Sequence, residues 1–203
     1  MGTASLLNFT VPLSDIGIPA SGQGLLMPKL SYRFRALFIG FGVANQTTEL
    51  TKQVMNVKRP SLKFDEQTID IYGSKVHYAG KPAWDPTDIT LRDDMLGEVS
   101  ALVGQQIQKQ FDFQNQSSAS SATDYKFEML YEVLDGGNGT NEPVILETYD
   151  LVGCWLTNVD YGDNDYSKSD PLTIKMTVRF DNALQSPLGI GSAISRTLGT
   201  IAI

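Results

Sequence analysis

The side chains that most often carry proton transfer, nucleophilic attack or metal binding are scarce in this chain. It holds one histidine, His77, and one cysteine, Cys154. A hydrolytic or proton-transfer site usually draws on histidine or on a buried acid pair, and His77 falls in a stretch that reads as a projecting loop. Zinc needs clustered ligands, which one histidine and one distant cysteine do not supply. Asp160-Tyr-Gly-Asp-Asn-Asp-Tyr166, followed by Asp170, is an acidic run with a faint likeness to a calcium loop. It lacks the closing glutamate and the flanking helices of that motif, so a solvated turn is expected. There is no Gly-x-Ser-x-Gly elbow and no Gly-Lys-Ser/Thr phosphate loop. Gly22-Gln-Gly24 and Gly189-Ile-Gly191 lack the third glycine and the strand-to-helix setting of a dinucleotide site. Tyr32-Arg33-Phe34-Arg35 interleaves rings with guanidinium groups, but strand alternation puts them on opposite faces, giving a core side and a charged wall. The expectation is a chain without catalytic site, metal or cofactor.

Composition narrows the role further. With 203 residues, 41% of them hydrophobic, the chain can bury the core of one domain. Its formal net charge of −7 disfavours wrapping around nucleic acid, since phosphate binding needs Lys and Arg to displace counterions. Acidity instead suits a surface that nucleic acid slides past. A lone cysteine excludes an intrachain disulfide, and Cys154 reads as a small buried apolar residue. The N-terminus has no basic segment followed by an apolar run, and no stretch reaches the roughly 18 apolar residues of a membrane span. Synthesis and use in the cytoplasm, without membrane insertion, is the reading.

The elements follow from periodicity. Residues 1–29 carry Gly17, Gly22, Gly24, Pro12, Pro19 and Pro28, the punctuation of an irregular arm. Leu30 to Phe41 alternates as a half-buried strand through Tyr32, Phe34, Ala36 and Phe38, and Leu50 to Val57 reads as a second strand, the two forming an opening antiparallel pair. Lys58 to Pro86 reads as a long projecting hairpin or loop with one short strand at Ile69–Tyr72. Loops of that length usually bind something. Ile89 to Leu91 is a short strand, and Asp93 or Asp94 suits the N-cap of a helix over 94–113 with Leu96, Val99, Val103, Ile107 and Phe111 on one face. The helix must cover one side of a sheet. Gln114 to Ala122 reads as a solvated loop. Tyr125 to Leu134 and Val144 to Trp155 form a hairpin across the glycine-rich turn 135–139. Leu172 to Phe180 has the cleanest alternation, and the small apolar tail from Leu184 to Ile203 is expected to pack on a partner subunit.

This order of elements, with Ala79-Gly80, Trp84-Asp85-Pro86-Thr87-Asp88-Ile89-Thr90-Leu91, and Leu151-Val-Gly-Cys-Trp155-Leu-Thr-Asn-Val159 at an expected turn, resembles the tail tube family of contractile-tailed bacteriophages over about Leu30 to Asn182. The resemblance implies a mainly β fold with one α-helix, an antiparallel β-barrel or sandwich similar to the haemolysin-coregulated protein of type VI secretion. The chain itself divides into an N-terminal arm at 1–29, a domain at 30–182 and a C-terminal arm at 183–203, and it departs from the shorter family members in its N-terminal arm, the Gln114 to Ala122 loop and the apolar tail after Pro187. The resemblance further implies hexameric rings joined by sheet extension and stacked head to tail into the inner tail tube of a virion, assembled in the host cytoplasm. The implied partners are further copies of the chain, the tail sheath protein, the tape measure protein, the baseplate tube initiator, and genomic DNA that passes through without specific binding. The loop reaching the adjacent ring would include Arg59, Ile69, Ile71, Tyr72, His77 and Tyr78. Acidic and basic residues on alternating strands, with Asp88, Glu128, Glu132 and Lys175 as candidates, would line the lumen. Alternative roles are a tube-initiating baseplate protein, the secreted ring of an injection system, and a receptor-binding β-sandwich.

Overall fold

The computed structural model describes residues 29–42, 48–135, 143–187 and 189–190. Two compact units are distinguished, Met1–Arg33 and Phe34–Ile203. Of the first, residues 29–33 are described, a turn closed by the Arg33 N–H on the Leu30 carbonyl at 3.1 Å. The expected N-terminal arm and most of the C-terminal tail otherwise lie outside the described residues.

The second unit runs β1 (Phe34–Ile39), α1 (Thr48–Lys52), β2 (Val54–Val57), β3 (Ser61–Ile71), β4 (Ser74–Asp85), β5 (Thr87–Arg92), α2 (Glu98–Gln110), β6 (Phe111–Asp112), β7 (Ser117–Ser118), α3 (Ala122–Tyr125), β8 (Phe127–Leu134), β9 (Ile145–Asp160), β10 (Thr173–Arg179) and β11 (Asn182–Ser186). It is mainly β and antiparallel, with one long helix, as expected. Seven strands form one sheet in the order β1-β8-β9-β10-β5-β2, with β11 also on β9. The architecture is sandwich-like rather than a closed barrel.

β9 organises the sheet. Its first part pairs with β8, from Ile145↔Leu134 to Cys154↔Phe127, and with β11 on the other edge. Its last part pairs with β10. β10 and β11 hold the same alignment on β9, Arg179↔Trp155 and Asn182↔Val152, across the break at Phe180-Asp181. The two halves enclose one core of Phe38, Phe41, Leu91, Phe127, Met129, Leu151, Ile174 and Met176, joined by Val99, Leu102 and Val103 of α2. Alternation is the cause. In β10, Ile174, Met176 and Val178 are buried while Lys175 and Arg179 face solvent. Cys154 is buried, as expected, and burial pushes its thiol up to about 12.

Several expectations are corrected. β1 and β2 do not pair: α1 occupies the start of the expected second strand with Leu50 in the core, β1 joins β8, and β2 joins β5. Trp155 to Val159 lies within β9 rather than in a turn. Residues 114–122 contain β7 and lead into α3, whose Ser121 and Asp124 form a capping box. Residues 183–186, expected in the C-terminal arm, belong to β11. The helix spans 98–110 instead of 94–113. Asp94 Oδ1 accepts the Val99 N–H at 3.0 Å across a turn that ends in Gly97 at φ 73, so the chain turns helical only at Glu98. That contact and further backbone N–H groups hold the Asp94 carboxyl below its ordinary value. Leu96 is left exposed in the turn, and Phe111 leaves the helix in extended conformation.

α2 is fastened by polar contacts as well as by its apolar stripe. Gln106, fully buried, accepts from the Gly42 N–H at 3.0 Å and donates to the Tyr125 carbonyl at 2.6 Å. Gln110 donates to the Leu156 carbonyl at 2.9 Å and accepts its N–H at 2.8 Å, capping the edge of β9 beyond the end of β8. Gln106→Ala strands two backbone groups away from water, and a loss of about 2–4 kcal/mol in denaturant-measured stability is expected; an unchanged midpoint would show that these contacts carry no weight.

Candidate functional site

With a single short strand expected at 69–72, the length of the β3–β4 hairpin is the largest departure in this region. Strands of 11 and 12 residues make a separate two-stranded sheet. The Tyr72-Gly73 turn has positive φ at both residues, as two-residue hairpin turns demand. At the bulge lower down, a Cβ on Gly80 would stand 2.9 Å from the Asp65 carbonyl oxygen, so the strands close there only around a glycine. From Lys63 to Ala79 every residue is exposed.

The distal half of the hairpin is two-faced. Ile69↔Val76, Gln67↔Tyr78 and Ile71↔Ser74 share one side, so Ile69, Ile71, Val76 and Tyr78 form an apolar strip that ends at Tyr72 on the tip. The reverse side carries Asp70↔Lys75 and Thr68↔His77, with an ion pair Lys75–Asp70 at 3.4 Å, and with His77 Nδ1 2.5 Å from Glu66 Oε1 and 3.2 Å from Thr68 Oγ1. Four of the six contact candidates, Ile69, Ile71, Tyr72 and Tyr78, therefore come together. His77 lies on the opposite face. Val76 was missed, although alternation across the Tyr72-Gly73 turn signals it.

Arg59 is placed elsewhere. It sits at the base of the hairpin and donates to Glu147 Oε2 and to the Tyr149 hydroxyl, both at 3.1 Å, with its guanidinium 5.4 Å from the Tyr149 ring centre. Glu147 is buried and also accepts from Gln185. The other leg is held by Trp84, whose ring packs 5.6 Å from Phe180 and whose Nε1 donates to Asn182 at 3.3 Å. Lys63 and Asp85 pair across the base at 3.0 Å. Both legs are thus tied to the body of the unit. Removing Arg59 leaves a buried carboxylate short of its cation. Arg59→Ala is expected to lower stability by about 2 kcal/mol, and Arg59→Lys by less; equal melting curves for all three proteins would refute the anchor.

The lumen candidates divide between the two halves of the large sheet, Glu128 and Glu132 on β8 and Asp88 and Lys175 on β5 and β10. Lys175 aligns with Thr90 and Asp160, and Asp88 with Thr177, whose hydroxyl donates to it at 3.0 Å. Glu132, only 6% exposed, accepts from Arg35 Nε at 2.6 Å, so its charge is neutralised within its own chain. Glu128 neighbours Asp150, and its carboxyl is pushed up by desolvation, then by the hydrogen bond and charge of Asp150. A raised carboxyl binds its proton more tightly in the folded chain, so its ionisation costs stability at neutral pH and the cost vanishes as pH falls through the raised value. Glu128→Gln is expected to raise the melting temperature at pH 7 and to leave it unchanged near about pH 3, below the ordinary carboxyl range; no gain at pH 7 would contradict this placement.

The acidic run does not converge. Asp160 accepts from the Gly162 N–H and Asp165 from the Ser167 N–H and hydroxyl, which are local turn contacts. Among the described residues no group of three or more His, Cys, Asp or Glu side chains is placed to share a metal ion, and no helix is long and apolar enough to cross a membrane.

No protein-family model and no curated protein matches the chain. Solved structures do. A chain in the cryo-EM structure of the anti-feeding prophage cap, described as a tube-terminating cap, superposes with a TM-score of 0.60 at 12% identity, covering 84% of this chain and 99% of its own. A chain of the sheath/tube terminator of the PVC extracellular contractile injection system in its extended state gives 0.57 at 16% identity, over 81% and 100%. One from the PVC sheath-tube complex gives 0.53 at 15% identity, over 88% and 100%. The fold is therefore of the tail-tube type found in contractile injection systems.

Proposed function

We propose that the chain is a structural subunit that closes into hexameric rings and stacks into the inner tail tube of a contractile-tailed bacteriophage, the conduit for DNA ejection, without catalytic activity. The observation that carries this reading is the projecting hairpin, whose apolar strip has no covering surface within its own sheet. Burying such residues is worth about 25 cal/mol per Å², and in a tube subunit the neighbouring copy supplies the cover. β1 and β2 are the end strands of the described sheet, and strand pairing between copies at such ends would close a ring. The acidic composition suits a lumen through which DNA moves without adhering. The tail sheath and tape measure proteins and a baseplate tube initiator are the further partners of this role.

A second reading, the tube or terminating ring of an extracellular injection system, is favoured by superposition onto the anti-feeding prophage cap and the PVC sheath/tube terminator. A receptor-binding module would use the hairpin differently and stay small. Sedimentation velocity separates the two stacking readings from the module. The wild-type chain is expected to form species that grow with concentration, whereas Ile69→Lys/Ile71→Lys, on exposed positions, keeps its melting temperature and stops at single rings. A wild-type chain that stays a monomer or closed trimer at every concentration would overturn the tube reading in favour of the module.

A further inference from the structure

The two halves of the large sheet enclose one core, so their outward faces look in opposite directions. These two faces differ in character. Outward from the first half, on β1, β9 and β11, stand Ile39, Val152 and Leu184, which are 49%, 43% and 40% exposed. Arg35 and Glu132, charged residues of the same face, pair with each other at 2.6 Å.

The outward face of the second half is polar. Asp160, Lys175 and Thr90 share one row across β9, β10 and β5, and Asn158, Thr177 and Asp88 share the next. Arg92, opposite Thr173, and Arg179, opposite Trp155, flank these rows. Every charged member of the face is exposed, while Ile89, Leu91, Ile174 and Met176 between them point into the core. Charges of both signs are interleaved: Lys175 lies opposite Asp160, and Asp88 is diagonal to Lys175 and Arg179. The apolar side chains, Met55 in the bulge of β2 and Trp155 opposite Arg179, stand at the margins.

We infer that the outward face of β5, β10 and the end of β9 lines the lumen and is the wall past which duplex DNA moves. The inference rests on the tube reading above and takes it to residues: of the lumen candidates, Asp88 and Lys175 stay on the wall, and Glu128 and Glu132 do not. In a ring wall built from a two-faced subunit, one outward face looks onto the axis and the other away from it. A water-filled conduit selects the polar one, because aliphatic surface left in water forgoes about 25 cal/mol per Å², and Ile39, Val152 and Leu184 recover that only where another chain covers them. The wall also suits passage of a polyanion. Holding DNA takes a run of Lys and Arg that displaces phosphate counterions, whereas Arg92, Lys175 and Arg179 are set among acids, threonines and an asparagine.

Size-selective thiol labelling of assembled tubes is the test. Cys154 stays silent, since it is buried and its thiol is pushed up to about 12 by that burial. Lys175→Cys and Thr90→Cys, neighbours in one row, are each expected to react with N-ethylmaleimide in tubes and to lose reaction with a maleimide carried on serum albumin, a globular protein too bulky to enter. Dispersed subunits of Lys175→Cys are expected to react with both reagents. Leu184→Cys, on the opposite face, is expected to lack this split in tubes and to react with both reagents or with neither. Reaction of the tubes with the albumin-borne reagent at Lys175→Cys and Thr90→Cys puts their face on the outside, and loss of reaction with both reagents puts it between copies. Either result overturns the inference and leaves the tube reading standing, as does the split appearing at Leu184→Cys instead. Folded Lys175→Cys and Thr90→Cys proteins that both fail to assemble place the face in a contact between copies and overturn it as well. If the wild-type chain forms no tubes, the reading beneath the inference falls with it.

Discussion

The fold depends on one strand serving two halves of a sheet. β9 must lie between β8 and β11 over its first part and against β10 over its last, and its alignment with β8 shifts at Gly153, which has φ 72. A side chain there would be strained by the positive φ and would run into the Asp181 carboxylate. That carboxylate in turn pairs with Lys126 at 2.5 Å, at the entry to β8. Beyond the crease, the edge that β8 no longer covers is taken by the amide of Gln110. The position of α2 follows from this requirement as much as from its apolar stripe, because a buried strand edge left without partners would cost more than the helix gains by lying elsewhere.

The same strand fixes the hairpin. Arg59 reaches Glu147 and Tyr149 of β9, and Trp84 reaches Asn182 beside it. A two-stranded hairpin in water is only marginally stable, and its exposed ion pairs add little. Anchored at both legs, it is held out from the sheet with its apolar strip exposed. Stability of the fold and exposure of the apolar strip thus meet at the Arg59–Glu147 contact.

Legibility in the sequence followed burial. β1, β8 and β10 stood out because one face of each is in the core, so Phe34 to Phe38, Phe127 to Tyr131 and Ile174 to Val178 alternate cleanly. β3 and β4 did not, because solvent on both faces removes the pattern; only Ile69, Ile71, Val76 and Tyr78 alternate, and they mark a contact face rather than a core. Strand partners were invisible for a different reason. β1 with β8 and β2 with β5 are long-range choices, and adjacency in sequence suggested the wrong pair. Helix limits failed where Leu96 fits the helical spacing but Asp94 and Gly97 delay the first turn. The partners of Arg59 and Glu132 stand 88 and 97 residues away, beyond any local signal. What resemblance contributed, the tail-tube type of fold, is supported by superposition onto proteins only 12–16% identical, where packing is retained while most side chains have changed.

In the role proposed for it, this chain builds an open, hollow, directional stack from copies of itself. Negative-stain electron microscopy of the purified chain at rising concentration addresses it most directly. The account predicts rings of about six subunits, the closed cyclic assembly that strand pairing between copies implies, stacking into tubes with an open lumen and one direction along the axis. Uniform monomers or closed trimers across the whole range would contradict it.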